Sequence, residues 1–112
     1  MVTLSGMAKE HQADYEGTYT LQPGNINGYM YWQQDLGLMS RFKCKDSNSI
    51  WYESKYGGWN IGRTKECGGI KCSLTISSAE TCPHNANGIW SVYDRHKWIN
   101  PKENIVKIIK IE

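Results

Sequence analysis

SIWYESKYGGWNIG, residues 49–62, consists of two short apolar runs around a polar, glycine-containing break. Side chains in a strand alternate between faces, so Ile50 and Tyr52 share one face while Trp51 and Glu53 share the other. Gly57 and Gly58 supply the turn chemistry that reverses the chain. Trp59 then returns with Ile61 on a common face. The stretch predicts a β-hairpin whose rings do two jobs: Trp59 belongs to the core side, and Tyr56, set among the turn residues, belongs to the surface.

The same period of two recurs outward from this hairpin. Tyr15, Gly17, Tyr19 and Leu21 alternate with Glu16, Thr18 and Thr20, the pattern of a half-buried strand. Pro23-Gly24 and Asn27-Gly28 form the strongest turn signal in the chain, because Asn-Gly accepts the positive φ angles of a tight hairpin. The run YMYW follows as the return strand, and Leu38 to Lys43 predicts another. Ile70, Cys72, Leu74 and Ile76 alternate with Lys71, Ser73 and Thr75, which places Cys72 on an inward face. IWSVYD after Asn87-Gly88, a short piece around Trp98, and the terminal NIVKIIKI complete the set. The prediction is an all-β fold, a small antiparallel sandwich or barrel of about eight short strands. Helix is limited to a single turn at Ser77–Thr81. Residues 1–13 are predicted as a flexible N-terminal tail and 14–112 as a single β-domain, since 112 residues support one core with little to spare.

Composition narrows the function classes. The net charge is only +2 and the basic residues are scattered, against the concentrated basic face of nucleic-acid modules. No apolar run reaches the roughly 18 residues of a membrane span, and the first fifteen residues lack the apolar segment of a signal peptide. No nucleic-acid partner and no membrane insertion are expected. Seven Tyr and five Trp stand against a single Phe, a bias toward rings that place one end in apolar surroundings and the other in water or against a partner. That bias suits both a thin β-core and a recognition face.

An internal echo accompanies the bias. Trp51 and Trp59 are eight residues apart, as are Trp90 and Trp98, and each first Trp follows an Ile. Two hairpins of matching spacing would place aromatic pairs at equivalent points of the sheet. Gly17-x-Tyr19, Asn27-Gly28-Tyr29 with Tyr31, Ile50-Trp51-Tyr52, Trp59-x-Ile61-Gly62, Cys82-Pro83, and Trp90 with Trp98 together resemble a small Trp/Tyr-rich module found in multi-domain, mostly extracellular proteins of invertebrates and protists. The resemblance spans residues 17–99 and implies an extracellular, non-enzymatic module. It transfers no catalytic or ligand residue.

Four cysteines, Cys44, Cys67, Cys72 and Cys82, occupy the middle of the chain. In a small loop-rich β-domain an even number suits two disulfides, which would offset a thin core. Loop lengths favour Cys67 with Cys82 and Cys44 with Cys72; buried free thiols and a zinc site of Cys67, Cys72, Cys82 and His84 are the alternatives. Catalysis finds no support: Asp94 and His96 share a charged turn without a nucleophile, and no phosphate loop, nucleophile elbow or calcium loop is present. No cofactor is expected.

What remains is binding. A glycan would stack on an exposed ring while neighbouring polar groups fix its hydroxyls. The predicted ligand-binding residues are Trp51, Glu53 and Tyr56, flanked by Asn60, and in the second hairpin Trp90, Tyr93, Asp94 and Trp98. The alternative is a protein–protein adhesion or assembly surface in a multi-domain protein. A sugar site is a groove with rings beside hydrogen-bonding side chains, whereas an adhesion patch is flatter and more apolar.

Overall fold

The central hairpin forms as its alternation dictates. In the computed structural model, which describes residues 1–5, 15–35, 47–86, 90–94, 97–99 and 107–110, β4 (Asn48–Glu53) and β5 (Gly58–Arg63) pair antiparallel with Ile50 opposite Ile61 and Tyr52 opposite Trp59. These four side chains enter one buried cluster, while Trp51, equally buried, lies on the other side of the sheet and outside that cluster.

Seven further strands extend the hairpin in both directions: β1 (Val2–Ser5), β2 (Gly17–Leu21), β3 (Trp32–Gln34), β6 (Leu74–Ser77), β7 (Ser91–Asp94), β8 (Lys97–Ile99) and β9 (Lys107–Lys110). All nine form one antiparallel sheet in the order β8-β7-β6-β5-β4-β3-β2-β1-β9. Sequence neighbours are sheet neighbours throughout, except that β9 returns to flank β1. Residues from β1 to β7 meet in a single cluster, which a flat sheet cannot achieve; the sheet curls around its own inner face as a half-barrel. The fold class is therefore all-β and antiparallel as predicted, with the sheet curled toward the barrel alternative and not split into a sandwich.

Aromatic rings fill the curl. Trp59 meets Trp32 at 5.9 Å and Tyr52 at 5.5 Å, both edge-on, and Tyr29 stacks on Tyr52 at 3.9 Å, the offset and edge arrangements that ring quadrupoles favour. The Trp59 indole N–H donates to the carbonyl of Glu80 at 3.0 Å, so the segment after β6, which carries buried Pro83, is tied to the core. The buried amides of β3 and β4 are paired: Asn48 Nδ2 donates to Gln34 Oε1 at 2.7 Å, and Gln34 Nε2 to the carbonyl of Glu16 at 2.9 Å, as burial requires. Asn27, at φ 55°, and Gly28, at φ 85°, make the tight turn predicted between β2 and β3, closed by paired backbone bonds between Ile26 and Tyr29.

Four expectations are corrected. Residues 1–13 are not all tail: Val2 and Leu4 are buried in β1, held between β2 and β9, while 6–13 lie outside the described residues. Ser77–Thr81 forms no helical turn, because Ser78 Oγ takes the N–H of Glu80 in a local turn; the short 3-10 turns fall at Thr64–Glu66 and Pro83–Asn85. The strand beginning at Ile70 begins instead at Leu74. The Trp echo is not a structural repeat, since Trp51 faces outward and Trp59 inward, whereas Trp90 is in the core and Trp98 is exposed. The strand predicted at Leu38–Lys43 lies outside the described residues.

Candidate functional site

Trp51 and Glu53 point away from the core, so the outer face of β4 and β5 needs a separate cover. The chain supplies it immediately after β5. Thr64 Oγ1 meets Ser47 Oγ at 2.6 Å and Ser49 Oγ at 2.8 Å, anchoring the start of a connection that runs back across the outer face. Gly68, at φ 91°, turns it in a conformation open mainly to glycine. The Trp51 indole N–H then donates to the carbonyl of Gly69 at 3.0 Å. Gly62 leaves room for this packing: a Cβ there would stand 3.0 Å from the Trp51 ring and 3.1 Å from Cys72 Cα.

This folded-back segment makes one wall of a groove. Ile70 and Cys72 border two adjoining hollows of about 530 and 300 Å³ that also share Trp98, within the range of small-ligand sites. The larger hollow holds Tyr15, whose hydroxyl meets Ser73 Oγ at 2.8 Å, and Arg63, whose guanidinium lies 5.4 Å from the centre of the Tyr15 ring. Its far wall is Tyr93 against Trp98, edge-on at 5.4 Å. The smaller hollow is lined by Glu53, Tyr56, Asn60 and Thr75.

Within the smaller hollow each polar group has a defined state. Glu53, 4% exposed, accepts the backbone N–H of Lys55 at 2.5 Å and of Tyr56 at 2.8 Å, one on each carboxylate oxygen. It thereby fixes the β4–β5 turn and presents Tyr56, 71% exposed, with the Lys55 ammonium 5.3 Å from its ring centre. Thr75, opposite Asn60 in the β5–β6 register, donates its hydroxyl to Asn60 Oδ1 at 2.7 Å. Cys72 sits where the two hollows join; burial, and then the charge of Glu53, push its thiol up to about 12. Burial also raises Cys67, partly offset by hydrogen bonds from Ser49 and the Gly68 N–H.

The predicted ligand residues are thus divided. Glu53, Tyr56, Tyr93 and Trp98, which come from three different strands and a turn, are gathered on one groove. Trp51 is fully buried and pins the wall from beneath; Trp90, 3% exposed, lies in the core with Val92, because pairing of Val92 with Leu74 sets the phase of β7. Asp94 is placed at the end of β7, opposite Lys97. The cysteine pairing of Cys67 with Cys82 is not formed: Cys67, Cys72 and Cys82 are free thiols, and Cys44 lies outside the described residues. Cys67 lies on the outer face, hydrogen-bonded to Ser49, whereas the segment leading to Cys82 is tied to Trp59 of the core through the carbonyl of Glu80. Among the described residues no cluster of three metal-ligating side chains occurs. Sequence reasoning missed Ile70, Cys72 and Thr75 as groove residues. Gly68-Gly69 was the available signal, since a glycine pair breaks the strand on which the alternation through Ile70 depended.

No family model, no curated protein and no solved structure matches the chain.

Proposed function

We propose that this chain is a non-enzymatic binding module that takes a saccharide in the groove over the outer face of β4–β8. The observation that carries the reading is the combination in one groove of exposed rings, Tyr56 and Trp98, with buried hydrogen-bonding side chains, Glu53 and Asn60. Sugar rings present an apolar C–H face and a rim of hydroxyls, and this pairing of surfaces complements both. An adhesion patch would be flatter and would not carry a buried carboxylate and a buried amide in its floor. No nucleic-acid partner, membrane insertion or cofactor enters the proposal. The three free thiols remove the disulfide argument for secretion, so an extracellular setting rests on the resemblance to extracellular Trp/Tyr-rich modules.

A glycan array with the intact chain, its Tyr56→Ala variant and its Trp98→Ala variant tests the proposal. Binding of at least one glycan class, weakened about tenfold or more in each variant, is the expected result, corresponding to the loss of a stacking contact of about 1.4 kcal/mol. Both rings are exposed, so the variants keep the fold. Failure to bind any glycan, or binding indifferent to both substitutions, would overturn it.

A further inference from the structure

Asn60 is 4% exposed and lines the smaller hollow, yet only half of its amide is used. Oδ1 accepts from Thr75, while Nδ2 makes no hydrogen bond among the described residues. That donor is not among the fully buried unpaired atoms of the described residues, so it is open to solvent or to a ligand beside the hollow that Asn60 lines, and it is free to donate to an acceptor there. Beside it, Glu53 carries a formal charge with no ion-pair partner among the described residues, each of its oxygens holding one backbone N–H and retaining further lone pairs. The Thr75 hydroxyl, its proton committed to Asn60, adds another acceptor. Tyr56 and Trp98 close the space with ring surface.

Resting on the saccharide reading, we infer that this hollow is a subsite for the acetamido group of an N-acetylated amino sugar. The carbonyl oxygen of such a group accepts from Asn60 Nδ2, its N–H donates to Glu53 or Thr75, and its methyl lies against the aromatic wall. The alternatives satisfy less of the site. An ammonium would pair with Glu53 but set a donor against the Asn60 N–H. A carboxylate would suit Asn60 and be repelled by Glu53. A hydroxyl can also accept from Asn60 Nδ2 and donate to Glu53 or Thr75, but it brings no methyl group to the aromatic wall, whereas an acetamido group supplies acceptor, donor and apolar surface together.

The test uses the intact chain and oligosaccharides that share a backbone: tetramers of β-1,4-linked N-acetylglucosamine, of glucosamine and of glucose, with N-acetylgalactosamine glycosides covering the other configuration. Calorimetric titration is expected to give an acetylated sugar at least tenfold tighter than its unacetylated counterparts. Asn60→Leu, which keeps the branched shape of Asn but loses its amide, is expected to erase that preference. Should this variant not fold, the side-chain amide resonances of Asn60 in the unsubstituted protein provide the second readout, and they are expected to shift on addition of the acetylated sugar. Equal affinity for acetylated and unacetylated sugars, or Asn60 amide resonances that do not move, overturns the acetamido subsite and leaves the saccharide reading intact. Binding on the array only to sugars without an acetamido group does the same. Failure of every glycan on the array overturns both.

Discussion

Trp51→Phe separates the groove wall from the groove's own contacts. The substitution keeps a ring on the outer face but removes the indole N–H that holds the Gly69 carbonyl at 3.0 Å, and one of the two fused rings of a fully buried residue. Loss of the hydrogen bond costs about 1 kcal/mol. The smaller ring leaves a void of roughly 40 Å³, worth about 1 kcal/mol at about 24 cal/mol per Å³. Together they remove about 2 kcal/mol from a domain whose total stability is on the order of 5–15 kcal/mol. With a urea m-value of about 1.5 kcal/mol/M, the midpoint falls by roughly 1.3 M, read by far-ultraviolet circular dichroism. Because Trp51 fastens the segment that carries Ile70 and Cys72, amide exchange over residues 68–73 is expected to quicken, and the saccharide affinity proposed for the groove is expected to drop although Trp51 lines neither hollow. A midpoint within about 0.3 M of the unsubstituted protein, or unchanged exchange over 68–73, would refute the assignment of Trp51 as the pin of that wall.

Further expectations concern single sites. In Gly58→Ala the added Cβ would lie 2.3 Å from the carbonyl oxygen of Ile76; backbone on a neighbouring strand cannot yield, so a loss of more than about 3 kcal/mol or failure to fold is expected in a thermal melt. Gly28→Ala meets nothing within 4 Å and costs only the strain of φ 85°, about 1–2 kcal/mol, by the same measurement. Glu53→Gln retains one acceptor oxygen for the two N–H groups of the turn, lowers stability by about 1–2 kcal/mol and weakens sugar binding. Cys72, its thiol pushed up to about 12 from 9.0, reacts with iodoacetamide at pH 8 at least ~100-fold more slowly in the folded protein than in urea. The folded chain keeps a proton that the unfolded chain releases above 9.0, so Cys72 makes stability decline as pH rises from about 9 toward 12, checked by urea midpoints at pH 8 and above pH 10.

The hairpin at residues 49–62 was legible because strand alternation and two turn glycines act locally, and Ile50, Tyr52, Trp59 and Ile61 lie where that alternation puts them. Tyr56 was legible for the same reason. β1 obeys the identical rule, with Val2 and Leu4 inward, but its stability comes from a partner strand at the other end of the chain, invisible to a local window. The path of residues 64–73 was hidden because it depends on one positive φ at Gly68 and one bond from Trp51, neither of which periodicity encodes. Trp90, expected beside Trp98 at the ligand face, lies in the core because the phase of β7 is set by register against β6. Asn60 stood among the flanking polar groups, but its unused donor emerges only once Thr75 is seen opposite it.

The order of strands has a kinetic consequence. Every pairing from β1–β2 to β7–β8 joins neighbours in the chain, while β9 pairs with β1 across nearly the whole sequence. Closing that span costs roughly 3 kcal/mol more chain entropy than closing a short turn, and it is repaid only after the intervening hairpins have brought the two ends together. The molecule is therefore expected to zip outward from its hairpins and dock Lys107–Lys110 last, with the β1–β9 seam the first to part on unfolding, an order that amide exchange across the sheet would check.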